Sequence, residues 1–138
     1  MMNYVIIDTN VLVSALLAPN RHTSVPFSII RAVFLGKITP VLTSSIMDEY
    51  HNVLAREKFG FNKEMVKSLL KELKSQAVIV DPPKSKIKLP DSKDLCFYEA
   101  AAVYENVGGL LVTGNVKHFP NCPFAVTPSQ LKEKLALP

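Results

Sequence analysis

The chain lacks most of the signatures that would assign it quickly. Among 138 residues there are only two cysteines, Cys96 and Cys122, far apart and in no ligand-like pair. That spacing argues against a zinc site and for a reduced, cytoplasmic setting. No stretch of about eighteen apolar residues occurs, so no membrane span is expected. The N-terminus runs straight into an apolar segment without a signal-peptide pattern. No Gly-x-x-x-x-Gly-Lys loop is present to hold a nucleoside triphosphate, and no Gly-x-Gly-x-x-Gly to hold a dinucleotide. No Ser-His-Asp arrangement is suggested. Internal repeats, low-complexity tracts and linkers are missing too.

What is present fits a single compact domain over residues 1–138. Apolar residues make up 48% of the chain and aromatic residues 8%. That is enough for a real core at this length. The net charge of +4 and the pI near 9.1 are mildly basic, which suits a nucleic-acid partner without requiring one. The patterning alternates between short apolar runs and helical periods. Strands are expected at Val5–Ile7, Thr39–Leu42, Ala77–Val80, Gly109–Val112 and Phe124–Val126. Helices are expected at Val11–Ala18, at Pro26–Leu35 with Ser24 as cap and Gly36 as stop, at Ser45–Lys58, at Asn62–Ser75 and at Ser92–Glu105. Thr127-Pro128 opens a terminal helix. Residues Pro82 to Pro90 form a Lys- and Pro-rich loop. This order predicts an α/β fold, a three-layer α/β/α sandwich around a mostly parallel sheet.

Several apolar runs end in polar residues. Tyr4-Val5-Ile6-Ile7 gives way to Asp8-Thr9-Asn10. In open parallel sheets the C-terminal strand ends are where ligand sites form. Asp8 has two readings: a member of a metal or phosphate site, or a cap for the following helix. On the helix from Ser45, Glu49 falls on the apolar stripe of Ile46, Tyr50, Val53 and Leu54, whereas Asp48 falls off it. An inward carboxylate is costly unless it is paired or bound to a cation. Ser45 and Asp48 have the spacing of a capping box. Asp91 and Asp94 flank the start of the next helix, and Asp94 lies one turn before Phe97 on the inner face. Cap roles account for both equally well. Glu99 reads as a helix-flank residue. The strand Leu110–Val112 ends in Thr113-Gly114-Asn115, where Asn115 suits a turn and His118 reads as a structural hydrogen-bonder. A parallel sheet would bring Asp8, Glu49, Asp94 and Asn115 to one edge. Three carboxylates and an amide make an oxygen-rich site of the kind that hard cations such as Mg²⁺ or Mn²⁺ favour.

In these stretches the chain resembles PIN-domain ribonucleases, close to the VapC-like toxins of toxin–antitoxin systems. The matching segments are Val5-Ile-Ile-Asp-Thr-Asn-Val-Leu-Val-Ser-Ala-Leu17, Thr43-Ser-Ser-Ile-Met-Asp-Glu-Tyr50 with Val53-Leu-Ala-Arg56, Pro90-Asp-Ser-Lys-Asp94 with Phe97-Tyr-Glu-Ala100, and Leu111-Val-Thr-Gly-Asn-Val-Lys-His-Phe119. Each is weak alone; the ordered set is specific. The resemblance implies a divalent-metal-dependent endoribonuclease using Mg²⁺ or Mn²⁺. Its catalytic and metal-binding acids map to Asp8, Glu49 and Asp94, with Asp91 as an adjacent candidate. The fourth position, commonly Asp, is Asn115 here, which departs from a fully charged two-metal site. Asn10 and Thr113 match supporting positions. Lys93 and Lys117 are candidates for RNA-backbone contacts, with further lysines in the preceding loop. The family also implies a cognate antitoxin partner and often a homodimer. A different class remains open, a non-catalytic RNA-binding or scaffold PIN domain with a degenerate metal site. A small phosphatase or receiver-like domain is disfavoured by the absence of a second Asp near Asp8.

Overall fold

The computed structural model describes residues 2–138. Five strands form the sheet: β1 (Tyr4–Ile7), β2 (Thr39–Leu42), β3 (Val78–Ile79), β4 (Leu110–Val112) and β5 (Ala125–Val126). Their spatial order is β3-β2-β1-β4-β5, and every pairing is parallel. The expected sheet was mostly parallel; the observed one is entirely so. Six helices flank it: α1 (Thr9–Leu17), α2 (Val25–Phe34), α3 (Ser44–Leu54), α4 (Lys63–Gln76), α5 (Leu95–Tyr104) and α6 (Pro128–Lys134). Helix α5 lies against β1, β2 and β4, while α2 packs on α1, α4 and α6. The result is an α/β/α sandwich. Because helices cover the sheet, the central strands are apolar on consecutive residues: Val5, Ile6, Ile7, Leu111 and Val112 are all buried.

The strand order places the site. From β1 the chain steps outward to β2 and β3, then returns to the other side of β1 for β4 and β5. The connection reverses between β1 and β4. Such a reversal leaves a crevice beyond the carboxyl ends of the two strands, where ligands bind in open α/β sheets. Register closes this point tightly: Ile7 pairs with Val112, and the Asp8 amide donates to the Val112 carbonyl at 2.9 Å. Asp8 and Thr113 therefore leave the sheet side by side.

Local chemistry sets the ends of the elements. Ser24 caps α2 as expected, its hydroxyl accepting from Phe27 N at 3.1 Å. Thr127 and Gln130 form a reciprocal capping box on α6. The box expected of Ser45 and Asp48 does not form. Thr43, in extended backbone at the end of β2, is the cap instead, accepting from Ile46 N at 3.0 Å, and α3 starts at Ser44. That helix also stops at Leu54, four residues short of the expected end, before a 3-10 turn over Glu57–Phe59 that terminates at left-handed Gly60. The helix expected from Ser92 begins as a 3-10 turn, Ser92–Asp94, and becomes α-helical only at Leu95. At the other end of α5, Gly109 is obligatory: a Cβ there would lie 2.5 Å from the Tyr104 Cβ. Among the described residues no helix is long and apolar enough to cross a membrane.

Candidate metal centre

Asp8 occupies the cap position of α1, but its side chain makes no capping bond. It turns toward β4 instead. Its Oδ2 accepts from the Thr113 hydroxyl at 2.7 Å and from Asn10 Nδ2 at 3.2 Å. Asn10 is fixed in turn by accepting from Gly114 N through Oδ1 at 3.0 Å. Tyr50 on α3 reaches under the strand end and donates to the Ile7 carbonyl. Asp8 is only 4% exposed, and burial pushes its carboxyl above the ordinary range. The Thr113 hydroxyl, the Thr9 and Asn10 amides and the His118 ring favour the charged form and partly offset that rise.

Asp94 comes from the opposite wall, at the junction of the 3-10 turn with α5. It is buried, and its pKa is pushed up to about 6. Burial is the main cause, followed by the negative charge of Asp8; His118 opposes both, and Asp91 adds to the rise. Its Oδ2 lies 3.0 Å from His118 Nδ1. The contact is close but is not aligned as a hydrogen bond, so the oxygen is buried without a hydrogen-bond partner. Asp91 itself is exposed and accepts from Lys93 N at 2.9 Å, the capping role the sequence allowed.

Other residues sit less centrally. Glu49 is half-buried on α3, and its charge acts on Cys96, as do those of Asp8 and Asp94. Burial and these acids, Glu49 foremost, push the Cys96 thiol up to about 12 and keep it protonated. Asp48 is exposed. Glu99, expected on the flank of its helix, is buried; its Oε2 accepts from Ser85 N at 2.6 Å and ties the loop before Asp91 to α5. Asn115 points its amide nitrogen at His118 Nε2, 2.9 Å away. Lys93 and Lys117 are exposed.

Two residues mattered more than their sequence context suggested. His118 follows Asn115 by three residues, across a 3-10 turn over Val116–His118. Side chains three apart eclipse in that geometry, so the spacing alone could have paired them. Tyr50 was assigned to the apolar stripe, but its hydroxyl also ties α3 to the end of β1.

Among the described residues, no three His, Cys, Asp or Glu side chains converge closely enough to enclose an ion by themselves. The donor set still suits a hard divalent cation. Mg²⁺ commonly binds through one or two carboxylates, keeps several waters and takes further ligands from substrate phosphates. Asp8 and Asp94 are such a pair. Their mutual repulsion and the unpartnered Asp94 oxygen are what a cation would relieve.

Comparison with known proteins adds one finding. A sequence model of the PIN domain matches residues 4–117. That span runs from the first residue of β1 to Lys117, in the turn that bears His118, and so takes in Asp8, Glu49, Asp94 and Asn115. No curated protein and no solved structure matches the chain.

Proposed function

The chain belongs to the PIN-domain family, whose members are generally nucleases, and from that premise we propose that it is a divalent-metal-dependent endoribonuclease. The observation that carries the reading is the Asp8–Asp94 pair, two buried carboxylates from different elements, the charge of one acting on the other beside the topological switch point.

Asp8 and Asp94 would hold Mg²⁺ or Mn²⁺, with Glu49 reaching the cation directly or through a water. Asn115 would contribute its amide oxygen, its nitrogen being taken by His118. When bound, the cation supplies an activated water and neutralises charge on the phosphoryl oxygens. The protein's share is positioning. Asn10 and Thr113 hold one Asp8 oxygen and leave the other for ligation. Tyr50 fixes the strand end beneath Asp8. Lys93, Lys117 and the lysines of the loop before Asp91 are exposed and would contact RNA phosphates without reading sequence.

By the same reading the protein is a cytoplasmic toxin of a toxin–antitoxin pair, a single nuclease domain whose site a cognate antitoxin covers and which associates as a homodimer. One observation favours a second reading. Asn115 stands where Asp is common, so the charged donor set is reduced, as in a non-catalytic RNA-binding PIN domain. Incubation of the purified protein with total RNA, in Mn²⁺ and in EDTA, separates the two. Discrete fragments that vanish in EDTA support the nuclease. Strand binding that survives EDTA with no fragments supports the binding module.

A further inference from the structure

We propose that His118 is a positioning residue for Asp94, and that together with Asn115 and Thr113 it sets the spacing of the two carboxylates before any cation binds. The inference rests on the cation reading above.

A continuous chain of polar contacts joins the two acids. Asp94 Oδ2 meets His118 Nδ1 at 3.0 Å. The other ring nitrogen, Nε2, meets Asn115 Nδ2 at 2.9 Å. The Asn115 backbone N–H donates to Thr113 Oγ1 at 3.0 Å, and that hydroxyl donates to Asp8 Oδ2 at 2.7 Å. The acids lie far apart in sequence and sit on different elements, yet three residues of one short segment bridge them. The segment is itself rigid. Thr113 is fully buried at the end of β4, the 3-10 turn is closed by His118 N donating to the Asn115 carbonyl at 3.0 Å, and Phe119 is buried immediately after it.

The direction of the contacts decides what His118 offers. With the Asn115 amide turned nitrogen-first to the ring, Nε2 accepts from it. The ring proton then sits on Nδ1 and faces Asp94. In this tautomer the imidazole turns its N–H toward Asp94 Oδ2, 3.0 Å away. The contact is to Oδ2 alone and does not close that oxygen to a cation. Outer partners of this kind orient ligating groups in metal sites, and their loss typically weakens metal binding by roughly 10–100-fold. Asn115 has a matching role: it fixes the tautomer. A carboxylate in its place could only accept, and would draw a proton onto Nε2.

Two measurements test this on the full chain. The first is calorimetric Mn²⁺ titration of the parent, His118→Ala, His118→Asn and His118→Gln, each with its metal-free melting temperature. The Asn amide nitrogen lies near the place of Nδ1, the Gln amide nitrogen near that of Nε2. We expect Ala and Gln to weaken Mn²⁺ binding by about 10–100-fold, Asn to stay within a few-fold of the parent, and the metal-free melting temperatures to agree. A merely structural histidine would not produce that split. His118→Ala binding Mn²⁺ as tightly as the parent, or Asn doing no better than Ala, would overturn the proposal. The second measurement is the ¹⁵N spectrum of the imidazole at neutral pH without metal. A proton on Nδ1 with Nε2 accepting, lost in Asn115→Ala, is the expected pattern; a parent protonated on Nε2 alone would also overturn it. A parent that binds no Mn²⁺ at all would sink the cation reading and this inference with it. A parent that binds while the variants do not differ would sink this inference alone.

Discussion

The charge of Asp8 acts on Asp94, but the two carboxylates are held in different ways. Asp8 follows the central strand, and its Oδ2 is taken by two side-chain donors, Thr113 and Asn10. Asp94 follows an irregular loop and a 3-10 turn, and its Oδ2 has only the unaligned contact with His118. Hydrogen bonds to the charged form partly offset burial at Asp8, whereas at Asp94 the Asp8 charge adds to burial. One carboxylate is built into the scaffold; the other is kept in tension with it. A bound cation would offset the burial of both.

The largest expected effect removes the pair altogether. Asp8→Asn and Asp94→Asn should each reduce Mn²⁺-dependent RNA cleavage by more than the roughly 10–100-fold typical of losing an outer partner, because each takes away a charged ligand at nearly constant volume. Gel analysis of RNA fragments reads this. Parent-like cleavage by Asp8→Asn would mean that the site has been placed at the wrong strand end.

The same two variants should part company in stability. Without metal, near neutral pH, Asp94→Asn removes a charge that the folded state disfavours, so its melting temperature should rise by a few degrees. Asp8→Asn removes the charge that Thr113 and Asn10 bind, and its gain from relieved repulsion is offset by weaker hydrogen bonds. Its melting temperature should rise less or fall. Equal shifts would show that the two acids are held alike. Added Mn²⁺ should then raise the parent's melting temperature by linkage, and each variant's by less.

The pH dependence follows from Asp94. Its folded pKa of about 6 lies above the ordinary aspartate value of about 4. Between those values the folded state binds more protons than the unfolded state, so this group makes the metal-free protein less stable as pH rises from about 4 to above 6. Cation binding needs the deprotonated form, so Mn²⁺ affinity should rise across the same window. Asp94→Asn should flatten the stability trend. A parent whose metal-free stability rose through this window, with the trend unchanged in Asp94→Asn, would contradict the assignment.

How much of this was legible in the sequence varies by element. The strands were, because sheets covered on both sides leave uninterrupted apolar runs such as Val5-Ile6-Ile7. Asp8 was too, since a polar residue directly after such a run is already at the sheet's ligand edge. The cap of α3 was not: Thr43 and Ser45 carry similar side chains, and only the extended backbone at the end of β2 selects Thr43. The start of α5 was misread because a 3-10 turn and an α-helix share their first hydrogen-bonding residues. Glu99 looked like a surface residue. Its partner is a backbone amide of a loop fourteen residues earlier, and no pattern of side chains announces a backbone donor. His118 was read as a hydrogen-bonder without its partners, because its meeting with Asp94 depends on how the β4 turn docks against α5.

The smallest effect probes why Asp94 is the less anchored acid. The loop that leads to it is tied to α5 by Glu99, whose buried Oε2 accepts from Ser85 N at 2.6 Å. Glu99→Gln keeps the shape and an acceptor oxygen but turns a charge-assisted hydrogen bond into a neutral one, a loss of about 1 kcal/mol. Loop amides around Ser85 should exchange with solvent faster, while those of β1 and β4 should not change. If the loop helps to carry Asp94, Mn²⁺ affinity should fall by a few-fold at most, since the His118 contact remains. Hydrogen exchange and calorimetry on the same sample read both ends of the effect. Faster loop exchange with unaltered Mn²⁺ affinity would show that His118 and the first turn of α5 suffice to place Asp94. Unaltered exchange would show that the Glu99 tie does not hold the loop.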